Sequence, residues 1–406
     1  MGFFGRKRAP SVPHPRKEPR FDGPLTLERL EQIFQDCVDF TKRPVSLGEG
    51  GACTLTLCYL SGMVKMERVS DYVLRPLAQD EALARCGTPR QAMDRMKDGA
   101  LYNLSAEERT RLDAAVFDLV NGCCLLLFPW ESSVLSLNVG TEEKRSISSP
   151  SNETVLKGSR DAFVESLRTN TSIVRRHLKA PELRIREQVV GRQSVTSVDI
   201  LYIEGLTNPH LVEQVAAQLA DIDIDAVLTT GNIEEYIVPA ARTAFPLVQY
   251  TERSDRFCAG LAEGRVGILI DGLPLGYLAP GVLGDFLQAP QDKSESWLLA
   301  SALTLLRYLC MLGTLLLPAL YVAMVTFHQE MIPTRLALSI IAAKQDVPFR
   351  SVFEVIVLLL AFEILQEAGL RLPQSIGQTV SIIGGLVVGS AAVEAKIISP
   401  AVLIVV

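Results

Sequence analysis

The sequence LLASALTLLRYLCMLGTLLLPALYVAMVTF, residues 298–327, decides how the rest of the chain is interpreted. This run has thirty residues and one formally charged side chain, Arg307. Because about 20 helical residues cross the hydrocarbon core of a bilayer, the run can span a membrane with some tilt or kink. Mixed, charged sequence precedes it, and apolar runs alternate with short polar ones after it. We therefore expect a soluble α/β amino-terminal region followed by an all-α, multi-span membrane domain over residues 293–406.

The composition fits such a two-part chain. Mean hydropathy is positive (+0.23) although 21% of the 406 residues are charged, a combination that is rare in a uniformly soluble protein. The net charge of −6 argues against nucleic-acid binding, which needs a concentrated basic surface. The eight cysteines contain no CxxC pair and the four histidines are scattered, so we expect free thiols in a reducing compartment and no metal or other cofactor.

The amino terminus is predicted to be a disordered basic tail over residues 1–24, because prolines at this density block helices and sheets. It lacks the apolar core of a signal peptide, so the soluble region is expected in the cytoplasm. Its basic residues either hold it near anionic lipid or are merely solvated.

Helix and strand patterns alternate from residue 25 to residue 145, the first predicted subdomain. We predict helices over residues 27–40, 69–77 and 106–120, and strands over residues 53–60, 123–128 and 134–139.

This block recurs. CYLSGMV at residues 58–64 matches LYIEGLT at residues 201–207, an offset of 143. LDAAVFDLVNGCCLLLF at residues 112–128 matches SDRFCAGLAEGRVGILI at residues 254–270, an offset of 142 that places Gly122 on Gly264. We infer two related α/β subdomains, residues 25–145 and 160–292, joined by a polar linker over residues 146–159. Two unrelated α/β segments are the alternative.

The second block opens with a predicted helix over residues 160–178, whose apolar stripe includes Leu167 and Val174. Its basic residues either form a solvated face or contact a partner subunit or anionic lipid. These candidate contact residues are Arg160, Arg168, Arg175 and Arg176.

Further along the block, we predict a strand over residues 195–202, a helix over 209–219 capped by Asn208, a strand end over 221–225 and a strand over 265–271. The sequence of this block contains no GxGxxG motif and no phosphate-binding loop, so no nucleotide site is predicted.

The membrane region carries a few polar or conformationally special residues. Arg307 and the carboxylates Glu354, Glu363 and Glu394 are candidate pore or membrane polar contacts, because charges are costly in hydrocarbon and tend to face water or a partner. The alternatives are that Arg307 snorkels to the interface and that Glu363 sits at a wetted helix end.

Other residues of this region are candidates for shaping its helices. Pro318 is predicted to kink the first helix or to break it into a hairpin. Gly385 and Gly389 form a GxxxG pair that allows helices to approach closely. Residues 336–343 are too few to span, so a re-entrant or interfacial segment is expected there.

Many residues in order resemble the A subunit of bacterial spore germinant receptors, the GerA family. The soluble part contributes RDAF at 160–163, LRTN at 167–170, TER at 251–253, EGRV at 263–266 and DG at 271–272. The membrane part contributes PA at 318–319, YVA at 321–323, HQE at 328–330, IPT at 332–334, PF at 348–349, SIIG at 381–384 and VG at 388–389. Because such subunits usually continue through further helices, we expect the membrane domain to be incomplete at its carboxyl end.

The resemblance implies a multi-pass protein of the spore inner membrane that assembles with a transporter-like B subunit and a lipoprotein C subunit. It implies a response to small nutrients such as amino acids or sugars, and homo-oligomerisation into an ion channel. A non-conducting scaffold subunit is the alternative. An enzyme is not expected, because the sequence assembles no triad, metal spacing, phosphate loop or carboxylate pair.

Overall fold

Two antiparallel β-sheets, each with five strands among the described residues, form the framework of the amino-terminal part of the chain. In the computed structural model, the described residues are 20–47, 54–84, 86, 88–101, 106–129, 131–140, 153, 161–227, 235–237, 245–289, 291–292, 295–372, 385 and 387–406. The chain divides into two units, Met1–Ser294 and Glu295–Val406.

The first half of the amino-terminal unit contains the first sheet. Its strands are β1 (Phe40–Ser46), β2 (Thr54–Leu60), β3 (Ala106–Arg109), β4 (Cys123–Leu127) and β5 (Val134–Asn138). Its helices are α1 (Leu27–Ile33), α2 (Met66–Val69), α3 (Arg75–Gln79), α4 (Glu81–Ala84), α5 (Pro89–Arg95) and α6 (Leu112–Val120), with π-helical turns at Ser70–Leu74 and Met96–Ala100.

The second half contains the second sheet. Its strands are β6 (Leu183–Val190), β7 (Thr196–Ile203), β8 (Gln249–Thr251), β9 (Val266–Ile270) and β10 (Gly276–Ala279). Its helices are α7 (Leu167–His177), α8 (Pro209–Ala220), α9 (Ser254–Ala262) and α10 (Leu283–Leu287).

The two sheets have the same strand order. The first is β1-β2-β4-β5-β3 and the second is β6-β7-β9-β10-β8, so the third strand in chain order lies at an edge in both. Each strand of the second sheet begins 142 or 143 residues after its counterpart, as the repeated sequence pattern predicts. Gly122 and Gly264 adopt φ of +88° and +90°, a left-handed conformation that explains why both blocks have glycine there.

Each sheet is covered by helices on both faces. Leu55 and Leu57 of β2 pack with α2, α3 and α5, whereas Cys58 and Leu60 pack with α1 and α6. The second sheet repeats this division, with α8 on one face and α7 and α9 on the other. Since each fully buried leucine or valine contributes about 1.5–3 kcal/mol, these four clusters dominate the stability of the unit.

Several predicted elements differ from the structure. Residues 106–109 form strand β3 rather than the start of a helix, which begins only at Leu112. Helix α1 ends at Ile33, seven residues before the predicted end, and α7 begins at Leu167 rather than at residue 160. Residues 221–225 form no strand. The prediction that Asn208 caps α8 is confirmed, because its side chain accepts a hydrogen bond from His210 N.

The carboxy-terminal unit is helical. It contains α11 (Trp297–Thr326), a 3₁₀ turn (Gln329–Met331), α12 (Thr334–Lys344), α13 (Ser351–Leu370), helical residues 387–394 and α14 (Pro400–Val405). Within the described residues, α11 alone is long and apolar enough to cross a bilayer. It is continuous through Pro318, so the hairpin alternative is wrong. Multiple spans stay a prediction for this unit.

Candidate functional site

The backbone of the segment between α1 and β1 pairs with β6, an edge strand of the second sheet. Val38 N donates to Ile185 O at 3.0 Å, and Ile185 N donates to Asp36 O at 3.1 Å. Cys37 and Ile185 thereby form a parallel bridge at the outer side of β6. The two halves of the amino-terminal unit are thus joined by backbone pairing as well as by the linker.

A buried ion pair reinforces this joint. Arg175 of α7 donates from Nε and Nη2 to the two carboxylate oxygens of Asp39, at 2.8 and 2.9 Å. Both side chains are only 1% exposed. Two parallel charge-assisted hydrogen bonds fix the relative position of α7 and the α1–β1 segment more precisely than apolar packing does. The fold therefore depends on the pair remaining complete.

Two arginines of β6 extend the contact. Arg184 Nε donates to Glu204 at 2.9 Å, and its Nη1 also binds Ile33 O at the end of α1. Arg186 bridges Asp36 of the first half, at 3.0 Å, and Glu213 of the second, at 2.7 Å. We call this set the arginine junction; its members are Arg175, Arg184, Arg186, Asp36, Asp39 and Glu204.

Asp199 lies beside the junction in the interior of the second half. It is fully buried and stands directly opposite Glu187 on the neighbouring strand. Thr171 Oγ1 donates to its Oδ2 at 3.0 Å, and Arg168 Nη1 lies 3.6 Å away. Burial raises the pKa of Asp199 to about 6, and the Arg168 charge opposes that rise only in part. Asp199 is therefore a titrating group close to neutral pH.

The arginines that were predicted to form one basic face of α7 have different environments in the structure. Arg175 is buried against Asp39, so it is an internal tie and not a surface contact. Arg168 is half exposed and binds Glu187 at 2.8 Å. Arg176 Nε donates to Ser172 O of its own helix, and Arg160 lies outside the described residues.

A second polar cluster lies within the helical unit. Glu354 is 1% exposed, and its Oε2 accepts a hydrogen bond from Ser399 N at 2.9 Å. Lys344 Nζ lies 3.1 Å from Glu354 Oε1 and also binds Ser351. The surrounding side chains are apolar, among them Val355, Leu358 and Val402. Glu354 is therefore a polar contact inside the unit, which links α12, α13 and the start of α14.

The other predicted membrane residues are more exposed. Glu363 and Glu394 are exposed, and Arg307 is half-buried on α11. A Cβ atom at Gly385 would lie 3.2 Å from Phe362 Cε1, and one at Gly389 would lie 2.8 Å from Leu403 Cδ1. Both glycines thus stand where neighbouring side chains approach closely.

A cavity of about 250 Å³ lies in the second half, where α9, β10 and α10 meet. Charges of both signs line it, including Arg256, Arg265, Glu263 and Asp285. Arg265 binds both carboxylate oxygens of Asp285, at 2.5 and 2.8 Å. Burial raises the pKa of Asp285, but the hydrogen bonds from Arg265 and Val282 N, together with the charges of Arg265 and Arg256, outweigh this and hold the pKa below its ordinary value.

Sequence reasoning missed Asp39, Asp199 and Lys344, because their partners are distant in the chain. One signal was available for Arg175. It follows Thr171 by four residues, and so it falls on the buried face of α7 rather than opposite it. Within the described residues, no group of three or more His, Cys, Asp or Glu side chains is placed to hold a metal ion.

Comparison with known proteins gives consistent matches. The family model for the Bacillus/Clostridium GerA spore germination protein matches residues 28–406. The spore germination protein KA of Bacillus subtilis is 37% identical over 368 residues, which cover 91% of this chain and 67% of that protein. The uncharacterized membrane protein YfkQ of the same organism is 36% identical over 380 residues, or 94% of this chain and 73% of that protein.

One solved structure matches the amino-terminal part. It is the crystal structure of the N-terminal domain of the A subunit of the Bacillus megaterium spore germinant receptor GerK3. The match has a TM-score of 0.51 and 26% identity, and it covers 65% of this chain and 99% of that domain. The double-sheet unit is therefore similar to a germinant-receptor domain.

Proposed function

Because the chain belongs to the GerA family of spore germination proteins, we propose that it is the membrane A subunit of a germinant receptor. In this role it responds to small nutrients and triggers germination through a change in ion permeability. It resides in the spore inner membrane with its double-sheet unit in the cytoplasm, and it assembles with the B and C subunits that the family resemblance implies. Its part in the complex is binding and conduction rather than enzymatic turnover.

Helix α11 is the observation that carries the proposal. It has 30 residues, and none of them is buried within the unit. Its uncovered surface is mostly apolar, so α11 is free to contact lipid and other subunits. The exposure of α11 therefore supports a membrane subunit that can associate with further copies into a channel.

The charged cavity supports nutrient recognition. Its volume of about 250 Å³ suits a molecule of amino-acid size, and its walls present both signs of charge, as a zwitterion requires. Binding there would favour one state of the receptor only if the affinity differs between states. Thermal-shift titration of the purified protein with single amino acids and sugars, compared with an Arg256→Ala variant, tests this assignment.

Reconstitution tests the channel. The full-length protein is inserted into liposomes with and without B and C subunits, and cation flux is measured before and after nutrient addition. We expect nutrient-dependent flux that requires the A subunit. If cross-linking shows oligomers but no condition gives flux, the chain is a scaffold that organises the receptor without conducting. Loss of receptor assembly on deletion of the chain would then identify that role.

A further inference from the structure

An apolar surface lies on the second half of the amino-terminal unit, at α10 and the segment just before β8. Phe245 is 69% exposed, Val282 54% and Phe286 42%, and Leu247 and Leu283 are exposed as well. We call these five residues the apolar patch. Contiguous exposed apolar side chains in a folded domain usually mark a binding surface.

Backbone geometry holds the patch together. Leu247 O accepts a hydrogen bond from Gly281 N at 2.6 Å, which brings the segment before β8 against the start of α10. Leu283 precedes Phe286 by three residues within α10, so these two side chains share one face, and Val282 is the N-cap residue just before them. Asp285 instead turns inward to Arg265. Helix α10 therefore directs its one charged side chain toward the protein while Leu283 and Phe286 stay exposed, the reverse of the usual arrangement in water.

The corresponding edge of the first half is different. Its edge strand β3 has the sequence AEER, and Glu108 binds Arg90 at 2.6 Å while Arg109 binds Asp118 at 2.8 Å. Charged edge strands are a common protection against unwanted contacts. The edge strand β8 of the second half, QYT, is uncharged and exposes Tyr250. The edge strand of the sheet is thus protected by charges in the first half and uncharged in the second half.

We propose that the apolar patch inserts into the headgroup region of the bilayer in which α11 lies. This inference rests on the proposed membrane location. Nine residues, 288–296, join α10 to α11, and an extended chain of that length reaches at most about 32 Å. Because this connection is short, the bilayer that holds α11 is the apolar environment most accessible to the patch. Trp297, 78% exposed, begins α11 with the residue type that marks a membrane interface.

Site-specific photocrosslinking in the full-length protein tests the proposal. The photoreactive residue p-benzoylphenylalanine replaces Phe286 or Phe245 in protein reconstituted in phosphatidylcholine–phosphatidylglycerol vesicles. After illumination, adducts are identified by mass spectrometry. Leu315, 74% exposed on α11, is the positive control, and Phe117, 54% exposed on α6 of the first half, is the matched negative control.

We expect lipid adducts at positions 245, 286 and 315 and none at 117. Adducts at 315 but none at 245 and 286 would overturn the insertion of the patch while leaving the membrane location intact. Crosslinks from 286 to a second protein chain would identify a protein partner and also overturn it. Equal lipid adducts at 117 would show that contact is not specific to the patch. Absence of lipid adducts at 315 would instead contradict the membrane location itself.

Discussion

At the scale of single residues, the stability of the fold depends on buried charges that must each have a partner of opposite sign. Arg175 and Asp39 are buried together, 136 residues apart in the chain. In water such a pair contributes little, but removing one member in the interior leaves the other charge without a partner or solvent. The pair is therefore a sensitive point for the attachment of the two halves.

Asp39→Ala should lower the free energy of unfolding by about 3–5 kcal/mol, because Arg175 remains charged and buried. The measurement is urea unfolding of the detergent-solubilised protein by circular dichroism. Asp223→Ala is the matched control, since Asp223 pairs with Arg192 while both are about two-thirds exposed. We expect that control to change stability by less than about 1 kcal/mol. Equal effects of the two substitutions would contradict the importance of the buried pair.

Asp199 should give the stability a distinct pH dependence. An unfolded aspartate ionises near its ordinary pKa of 3.8, whereas burial raises the pKa of Asp199 to about 6 in the folded protein. The proton that the folded state retains stabilises it fully below pH 3.8, and this contribution is lost as the pH rises to about 6. Asp199→Asn stays neutral, so its free energy of unfolding relative to wild type should rise by about 2–2.5 kcal/mol between pH 4 and pH 7. Unfolding curves that stay parallel across this range would contradict the raised pKa.

At the scale of helices and strands, close contacts in the carboxy-terminal unit constrain side-chain size. Gly389 has Leu403 beside it, whereas Gly313 of α11 has open space in the direction of a side chain. Gly389→Ile should therefore lower the thermal stability of the solubilised protein, at a cost of about 1–3 kcal/mol from overpacking. Gly313→Ile should leave that stability unchanged or raise it. A loss confined to Gly313→Ile would show that α11, not residues 387–394, has the tight helix contact.

The sequence predicted some elements well and others poorly, for physical reasons. Strands β2, β4 and β9 lie within two residues of their predicted bounds, because they are central and their apolar side chains fill the cores. Strand β3 was missed because AEER consists of good helix formers, and its pairing with β5 overrides that preference. Burial of Glu354 likewise depends on Lys344 and Ser399, whose proximity exists only after the helices pack.

At the scale of the whole molecule, membrane attachment should depend on the carboxy-terminal unit. The full-length protein is expected to stay in the membrane pellet after alkaline carbonate extraction, because α11 can place about 20 residues in hydrocarbon. A chain ending at Ser294 should be released by the same wash, since surface insertion of a few side chains is reversible. Immunoblotting of pellet and supernatant provides the readout. Release of the full-length protein would contradict a spanning α11.

The bridge between Cys37 and Ile185 has a consequence for how the protein is made. A ribosome that has just completed the α1–β1 segment must still synthesise well over one hundred residues before β6 emerges. The first half can fold in that interval, because its sheet and both of its cores are already complete. Its segment at residues 34–39 then stays exposed until β6 of the second half is synthesised and pairs with it. Pairing over such a sequence distance is slow, so closure of this joint is expected to be the last step in the maturation of the amino-terminal unit.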